Sequence, residues 1–591
     1  MIRVVAQRQL GTLRRMLVQR VFALSGVLSL LAGCGSTTGE QVVDTPAPAA
    51  RNLQPSPVVE PEGLPRPAAI QWAACAIPSG DRQTIQADCA TVDLPARRDV
   101  PTTETVRVAV YRISGGKNAT HQLWMLNGGP GGAGFSLAPY AELATGVGPT
   151  TDVYMVDHRG TGESEFFACT KAERSSSALT TFMQSCSDEI RSQYGTRTDG
   201  FSTTESAWDV SDLINKTATR SQKVFVYGGS YGSYWAHRFL QLPGVRVDGM
   251  ITDGNCISGT CSFDTPQEFY VDEVLQSMAE ICKDTTECST RFGSDPWTVI
   301  KDLATKLKNG HCSAAVMTQE PLASTLHNLG MYWASGIPPV LHRLNRCNAS
   351  DVTVLNQLSN NLEAFRTGAS ITSPIPFDPL TDSFLDSPAL PTSLALSLMP
   401  ASTTNPMLAR ALRHLPILGA TPTPSAKRSS STALYLHVVA SEMISNPPPS
   451  LAELKEKASK LVYQPSSDYD EWLQGFPNWK GYPRNSFVDG WATRAVPWLM
   501  LQGTFDFQTA YSLSQTALKS LIGPKIQFVR VDGAGHGVAF ASRCASSLVG
   551  SFLTDPNAQL DTNCTKDVRS RSLIPNRGYT QYLLGTTNAW D

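Results

Sequence analysis

Ser230 stands in Gly228-Gly229-Ser230-Tyr231-Gly232, between an apolar run at 224–227 and a helix-like stretch at 234–242. A serine hydroxyl is a weak nucleophile until a base takes its proton, and it must stand clear of the sheet so that base and substrate both reach it. A sharp strand-to-helix turn flanked by small residues meets that need. It also leaves the Tyr231 amide at the helix start, where it can face the negative charge that develops on an attacked carbonyl. The pattern predicts nucleophilic acyl transfer; the plainer alternative is a Gly-rich turn with an exposed serine.

A base and an acid that orients it should follow, in the order serine, acid, histidine. The run 498–503 reads as a buried strand, with Asp506 in the loop past its end. Residues 526–531 read as another strand, followed by Asp532-Gly533-Ala534-Gly535-His536-Gly537. In an open α/β sheet such groups collect at the carboxyl ends of strands, so Ser230, Asp506 and His536 are expected to meet there. A second oxyanion donor should come from the loop after an earlier strand. Residues 122–126 lead into Asn127-Gly128-Gly129-Pro130-Gly131-Gly132, and the Gly129 amide is that donor. One strand later, Asp157-His158-Arg159-Gly160-Thr161-Gly162-Glu163-Ser164 offers Arg159 as a structural cation or a substrate clamp, with the structural role favoured.

Taken together, Asn-Gly-Gly-Pro-Gly at 127–131, Asp-x-Arg-Gly-x-Gly-x-Ser at 157–164, Gly-Gly-Ser-Tyr-Gly at 228–232, Asp506 and the Gly-x-Gly-His ending at 536 resemble the prolyl and tripeptidyl aminopeptidases of the α/β-hydrolase superfamily. Trp72-x-x-Cys75 and the segment 89–95 are similar to the entry of the tripeptidyl branch. Asn127 stands where prolyl aminopeptidases usually carry His, and Thr509-Ala510 where Thr-Pro often follows the acid. The resemblance implies an α/β-hydrolase fold with a mainly parallel central sheet and a large, mostly helical lid inserted before the strand that carries the acid. It implies a Ser230, Asp506, His536 triad that releases short peptides or single residues from free N-termini through an acyl-enzyme. The family binds the substrate ammonium with lid carboxylates, and Glu442 is the first choice here, with Glu268 and Glu273 behind it. An esterase or amidase using the same triad is the alternative, because one fold hosts many acyl transfers.

At 591 residues the chain exceeds one comfortable core. The expected division is a signal segment at 1–34, a Pro- and Ala-rich tether at 35–68, a first core part at 69–255, a helical lid at 256–489, and a second core part with a tail at 490–591. Within the lid, 267–281 and 452–462 read as helices. Arg3, Arg8, Arg14, Arg15 and Arg20 precede an apolar run at 21–31 that is too short to span a bilayer, and Leu31-Ala32-Gly33-Cys34 resembles a bacterial lipobox. Residues 16–34 alone have the same layout. Lipidation of Cys34 would tether the chain to a membrane of the bacterial cell envelope; a plain secretory signal is the other reading. Setting Cys34 aside leaves 12 of the 13 cysteines, an even number that suits an oxidising compartment. Nearest-neighbour pairing gives 75 with 89, 169 with 186, 256 with 261, 282 with 288, 312 with 347 and 544 with 564, one of many possible connectivities. No His or Cys pairs have matched ligand spacing, so no metal is expected, and no loop suits a nucleotide cofactor. Lys+Arg 49 against Asp+Glu 51, with no basic stripe, argues against a nucleic-acid partner. The expected partners are peptides with a free N-terminus and a membrane; the oligomeric state is not readable.

Overall fold

The computed structural model describes residues 69–78, 84–171, 178–367, 429–466, 469–539 and 542–591. The expected signal segment, Cys34 and the tether lie outside these residues. Nine strands form one sheet: β1 (Ala73–Pro78), β2 (Thr84–Pro95), β3 (Thr105–Ile113), β4 (His121–Leu126), β5 (Thr151–Val156), β6 (Lys223–Gly229), β7 (Gly249–Asp253), β8 (Pro497–Gly503) and β9 (Lys525–Val531). Their order is β1-β2-β3-β5-β4-β6-β7-β8-β9. Pairing is antiparallel from β1 to β5 and parallel from β5 to β9. Every residue of β4, β5 and β7 is buried, as parallel strands covered on both faces require. Apolar clusters on the two sides of the sheet contain Trp124, Val226 and Met500 on one and Met125, Ile251 and Leu501 on the other. The alternation of side chains along each strand produces that division.

Between β7 and β8 the chain leaves the sheet and becomes mostly helical, from Val271–Asp284 through Ile337–Arg346 to Leu451–Ser459. Helices from Val271–Asp284 to Ile337–Arg346 share an apolar core, which Phe505 and Phe507 join from the loop after β8, while Leu451–Ser459 packs in a small separate cluster with Phe269. The helix expected over 267–281 opens as a 3-10 turn at Gln267–Tyr270. The one expected to reach 462 stops at Ser459. There the Val462 and Tyr463 amides donate instead to Asp272, at 2.6 and 3.0 Å, so the carboxylate replaces the carbonyls that another turn would have supplied. The fold is that of an α/β hydrolase with an added helical region.

Arg159 takes the structural role. It is fully buried, donates to both carboxylate oxygens of Asp209 at 2.6 and 2.7 Å, and reaches the carbonyls of Pro95, Ala96 and Gly200. A guanidinium buried with five acceptors is a brace for three chain segments. Six disulfides join Cys75 to Cys89, Cys169 to Cys186, Cys256 to Cys261, Cys282 to Cys288, Cys312 to Cys347 and Cys544 to Cys564. They follow the nearest-neighbour pattern and point to an exported protein. Among the described residues no helix is long and apolar enough to cross a membrane.

Candidate active site

Ser230 sits between the end of β6 and the helix Tyr231–Gln241, with φ 56° and ψ −130°. An L side chain rarely occupies that conformation, and it persists only where the surroundings enforce it. The flanking glycines show how they do. A Cβ on Gly228 would lie 2.1 Å from the carbonyl oxygen of Gly232, and one on Gly232 would lie 2.1 Å from that of Leu126. Strand and helix therefore touch through bare backbone. The Ser230 amide donates to the Asp253 carbonyl at 2.9 Å, and Ser233 Oγ donates to the Ser230 carbonyl at 2.6 Å while accepting from the Cys256 amide at 2.7 Å.

The loop after β4 lies directly against this turn, since a Cβ on Gly128 would be 2.9 Å from that of Ser230. Asn127 shapes the loop from within: its Oδ1 accepts from the Gly128 amide and its Nδ2 donates to the Ala133 carbonyl, each at 2.7 Å. Among the described residues neither the Gly129 amide nor the Tyr231 amide donates a hydrogen bond.

Asp506, in the loop past β8, is buried. Its Oδ2 accepts from His536 Nδ1 at 2.8 Å, from Thr509 Oγ1 at 2.7 Å and from Gln502 Nε2 at 3.1 Å. Its Oδ1 accepts from the amides of Gln508 and Thr509, both at 2.8 Å. Burial alone would raise this carboxyl, but His536 and the hydrogen bonds outweigh it and hold the group below the ordinary carboxylate range. Burial likewise opposes charge on His536, and the Asp506 carboxylate reverses that and raises the imidazole.

His536 and Ser230 each lie beside the end of β7. A Cβ on Gly254 would lie 2.7 Å from His536 Cε1 and Nδ1 and 3.3 Å from Asp506 Oδ2, so the ring packs on the residue following the one whose carbonyl holds the Ser230 amide. Ser230 also lines one pocket with Gln508 and Thr509, and Thr509 Oγ1 is 3.2 Å from His536 Nδ1. Asp253 is the group that sequence reasoning missed. Its buried carboxylate accepts from the amides of Val538 and Ala539 at 2.8 and 2.6 Å and so anchors the loop that carries His536. Burial pushes it up to about 6 against those amides. Its position at the end of a buried strand was the available signal. Gln502, which bridges Asp506 and the Thr509 carbonyl, gave no such signal.

The three lid carboxylates do not line the pocket at Ser230. Glu442 lies in the π-turn Val439–Met443 with its side chain fully enclosed. It accepts from Arg238 Nη2 at 2.8 Å, from the Tyr234 hydroxyl at 3.0 Å and from the Tyr482 hydroxyl. Burial works to raise it, and the Arg238 charge and these donors bring it below the ordinary range. Glu268 is buried, and its Oε1 accepts from Ser324 Oγ at 3.4 Å. Glu273 accepts from the Ser512 amide and hydroxyl, at 2.8 and 2.6 Å. Among the described residues no cluster of His, Cys, Asp and Glu could hold a metal ion.

Residues 123–279 match the family model for the alpha/beta hydrolase fold, and residues 472–564 match the model for the TAP-like protein. No curated protein matches the chain. Among similar solved structures, an esterase from Exiguobacterium antarcticum is 13% identical over 76% of this chain and 97% of its own, with a TM-score of 0.28. A thermophilic esterase from Thermogutta terrifontis is 11% identical over 82% and 100%, with a TM-score of 0.29. Epoxide hydrolase A from Mycobacterium thermoresistibile is 13% identical over 83% and 99%, with a TM-score of 0.27.

Proposed function

We propose that this α/β hydrolase, whose second core segment is of the TAP-like kind, is an exported serine exopeptidase that removes short pieces from peptides with a free N-terminus. The observation that carries the chemistry is the buried Asp506 carboxylate on His536 Nδ1, with Ser230 held in a strained turn against the same strand end. In this reading His536 Nε2 takes the Ser230 proton as Oγ attacks the scissile carbonyl, and Asp506 stabilises the imidazolium. The amides of Gly129 and Tyr231 hold the oxyanion. His536 then protonates the leaving amine, and water releases the acyl group by the reverse steps. The TAP-like match spans both Asp506 and His536, and peptide substrates are what the resemblance to the tripeptidyl aminopeptidases implies.

The substrate ammonium needs a counter-charge. Glu442 already has Arg238, and of the other two we carry Glu268 forward because it is next in sequence to the pocket residue Gln267. At the other end of the chain, lipidation of Cys34 would fix the enzyme to a membrane of the cell envelope.

Chromogenic substrates test the main reading: free-amine peptide anilides against N-blocked peptides and short acyl esters, with Ser230→Ala as the control. Preference for free-amine peptides is expected. Preference for esters or blocked peptides transfers the site to the esterase or amidase alternative, and failure of a fluorophosphonate to label Ser230 removes the serine mechanism. Cys34→Ser should release the protein from membranes; unchanged fractionation refutes the anchor.

A further inference from the structure

We infer that the carboxamide of Gln508 pairs with a peptide unit in the acyl portion of the substrate, an assignment that rests on the exopeptidase reading above. The pocket concerned is the one that Ser230 itself lines. Phe263, Tyr270, Leu513 and the Cys256–Cys261 disulfide give it apolar walls, and among the described residues no charged side chain lines it. Such walls suit the uncharged part of the acyl portion next to the scissile bond, not its terminal ammonium. The orientation of that uncharged part must come from neutral hydrogen-bonding groups.

Two glutamines line it. The Oε1 of Gln267 lies 3.1 Å from His327 Nε2 and is engaged. Gln508 differs: it is 6% exposed, and its Oε1 is buried with no hydrogen-bond partner among the described residues. Leaving a buried polar group unpaired is costly, so such a group marks a place where a partner is missing. The backbone of Gln508 is fixed, because its amide donates to Asp506 Oδ1 at 2.8 Å. The free side chain is therefore held two residues from the acid of the triad, on the wall of the pocket that contains the nucleophile.

A primary carboxamide offers N–H donors and a C=O acceptor on one plane, the pattern that a peptide unit presents in complement. The acyl portion is the part that Ser230 retains. In an exopeptidase it is short enough to be enclosed, whereas the leaving chain must run out to solvent. Gln508 thus distinguishes a peptidyl acyl group from a plain fatty or aromatic one, and acts by binding, with no part in proton transfer.

The test compares a free-amine tripeptide anilide with its analogue in which the peptide bond one residue upstream of the scissile bond is an (E)-alkene, in wild type and Gln508→Met. Wild type should favour the peptide by about tenfold in kcat/KM, and the variant should bring that ratio close to one. A variant that keeps the wild-type preference overturns the assignment. So does a wild-type enzyme that does not distinguish the two substrates, a result that needs no folded variant. An enzyme that cleaves acyl esters but neither anilide defeats the exopeptidase reading itself, and is told apart from the other outcomes by the absence of any peptide turnover.

Discussion

Asp506→Asn tests the site through one atom. The two oxygens of Asp506 receive five donors: the amides of Gln508 and Thr509 on Oδ1, and His536 Nδ1, Thr509 Oγ1 and Gln502 Nε2 on Oδ2. Asparagine has one oxygen, and the two backbone amides, which cannot turn away, claim it. Its NH₂ then faces His536 Nδ1, where two donors would oppose each other, so the imidazole must place its proton on Nε2. That nitrogen can no longer accept the proton of Ser230. The wrong tautomer costs about 10⁴ in kcat in serine triads of this design, or about 5 kcal/mol of barrier. The pH profile supplies a second reading. In the wild type the neutral imidazole is the active form and its pKa is raised by Asp506, so kcat/KM should fall with decreasing pH through a midpoint above the ordinary value of about 6.5. Without the carboxylate, burial dominates and residual activity should have its acid limb at lower pH. Initial rates on the best anilide, with fluorophosphonate labelling at matched pH, measure both. Retention of more than a tenth of wild-type kcat/KM, or an acid limb that does not move, refutes the argument.

Ser230→Gly removes the nucleophile and the side chain that strains φ 56°, so the inactive variant should be more stable by about 1 kcal/mol, read as a higher urea midpoint at constant m; a lower midpoint contradicts the strain. Glu442→Gln leaves Arg238 buried without its counter-charge and should cost about 3–5 kcal/mol, most of it recovered in a Glu442→Gln, Arg238→Met double variant. Because the folded pKa of Glu442 is depressed, the stability it supplies is present above the unfolded value of about 4.3 and fades as pH falls below it. Replacing both Cys312 and Cys347 by Ser opens a loop with sequence separation 35, against 5 for Cys256 and Cys261. The chain-entropy model gives losses of about 4 and about 2 kcal/mol, and an equal loss in guanidinium melts would show that entropy does not set the difference.

The parts of this molecule that could be read from the chain are those whose geometry is set within a few residues. The turn at Ser230 needs Gly228 and Gly232 because bare backbone must touch there, so the requirement is written beside the nucleophile. The disulfides pair neighbours, and a buried parallel stretch such as 224–227 is apolar along its length. Gln502 and Gln508 escaped because nothing nearby distinguishes them, and Asp253 showed only its place at a strand end; each acquires its role from a loop that arrives after the helical region has been threaded. Glu442 shows the difference most sharply. Along the chain it is a carboxylate in a lid, available for a substrate amine. Folded, it faces Arg238, which lies 204 positions earlier. A carboxylate buried with its own guanidinium is committed to holding the helix that starts at the nucleophile, since Arg238 belongs to Tyr231–Gln241. The same residue type thus changes from a candidate for binding to a candidate for positioning once its counter-charge is known, and only tertiary structure supplies that counter-charge.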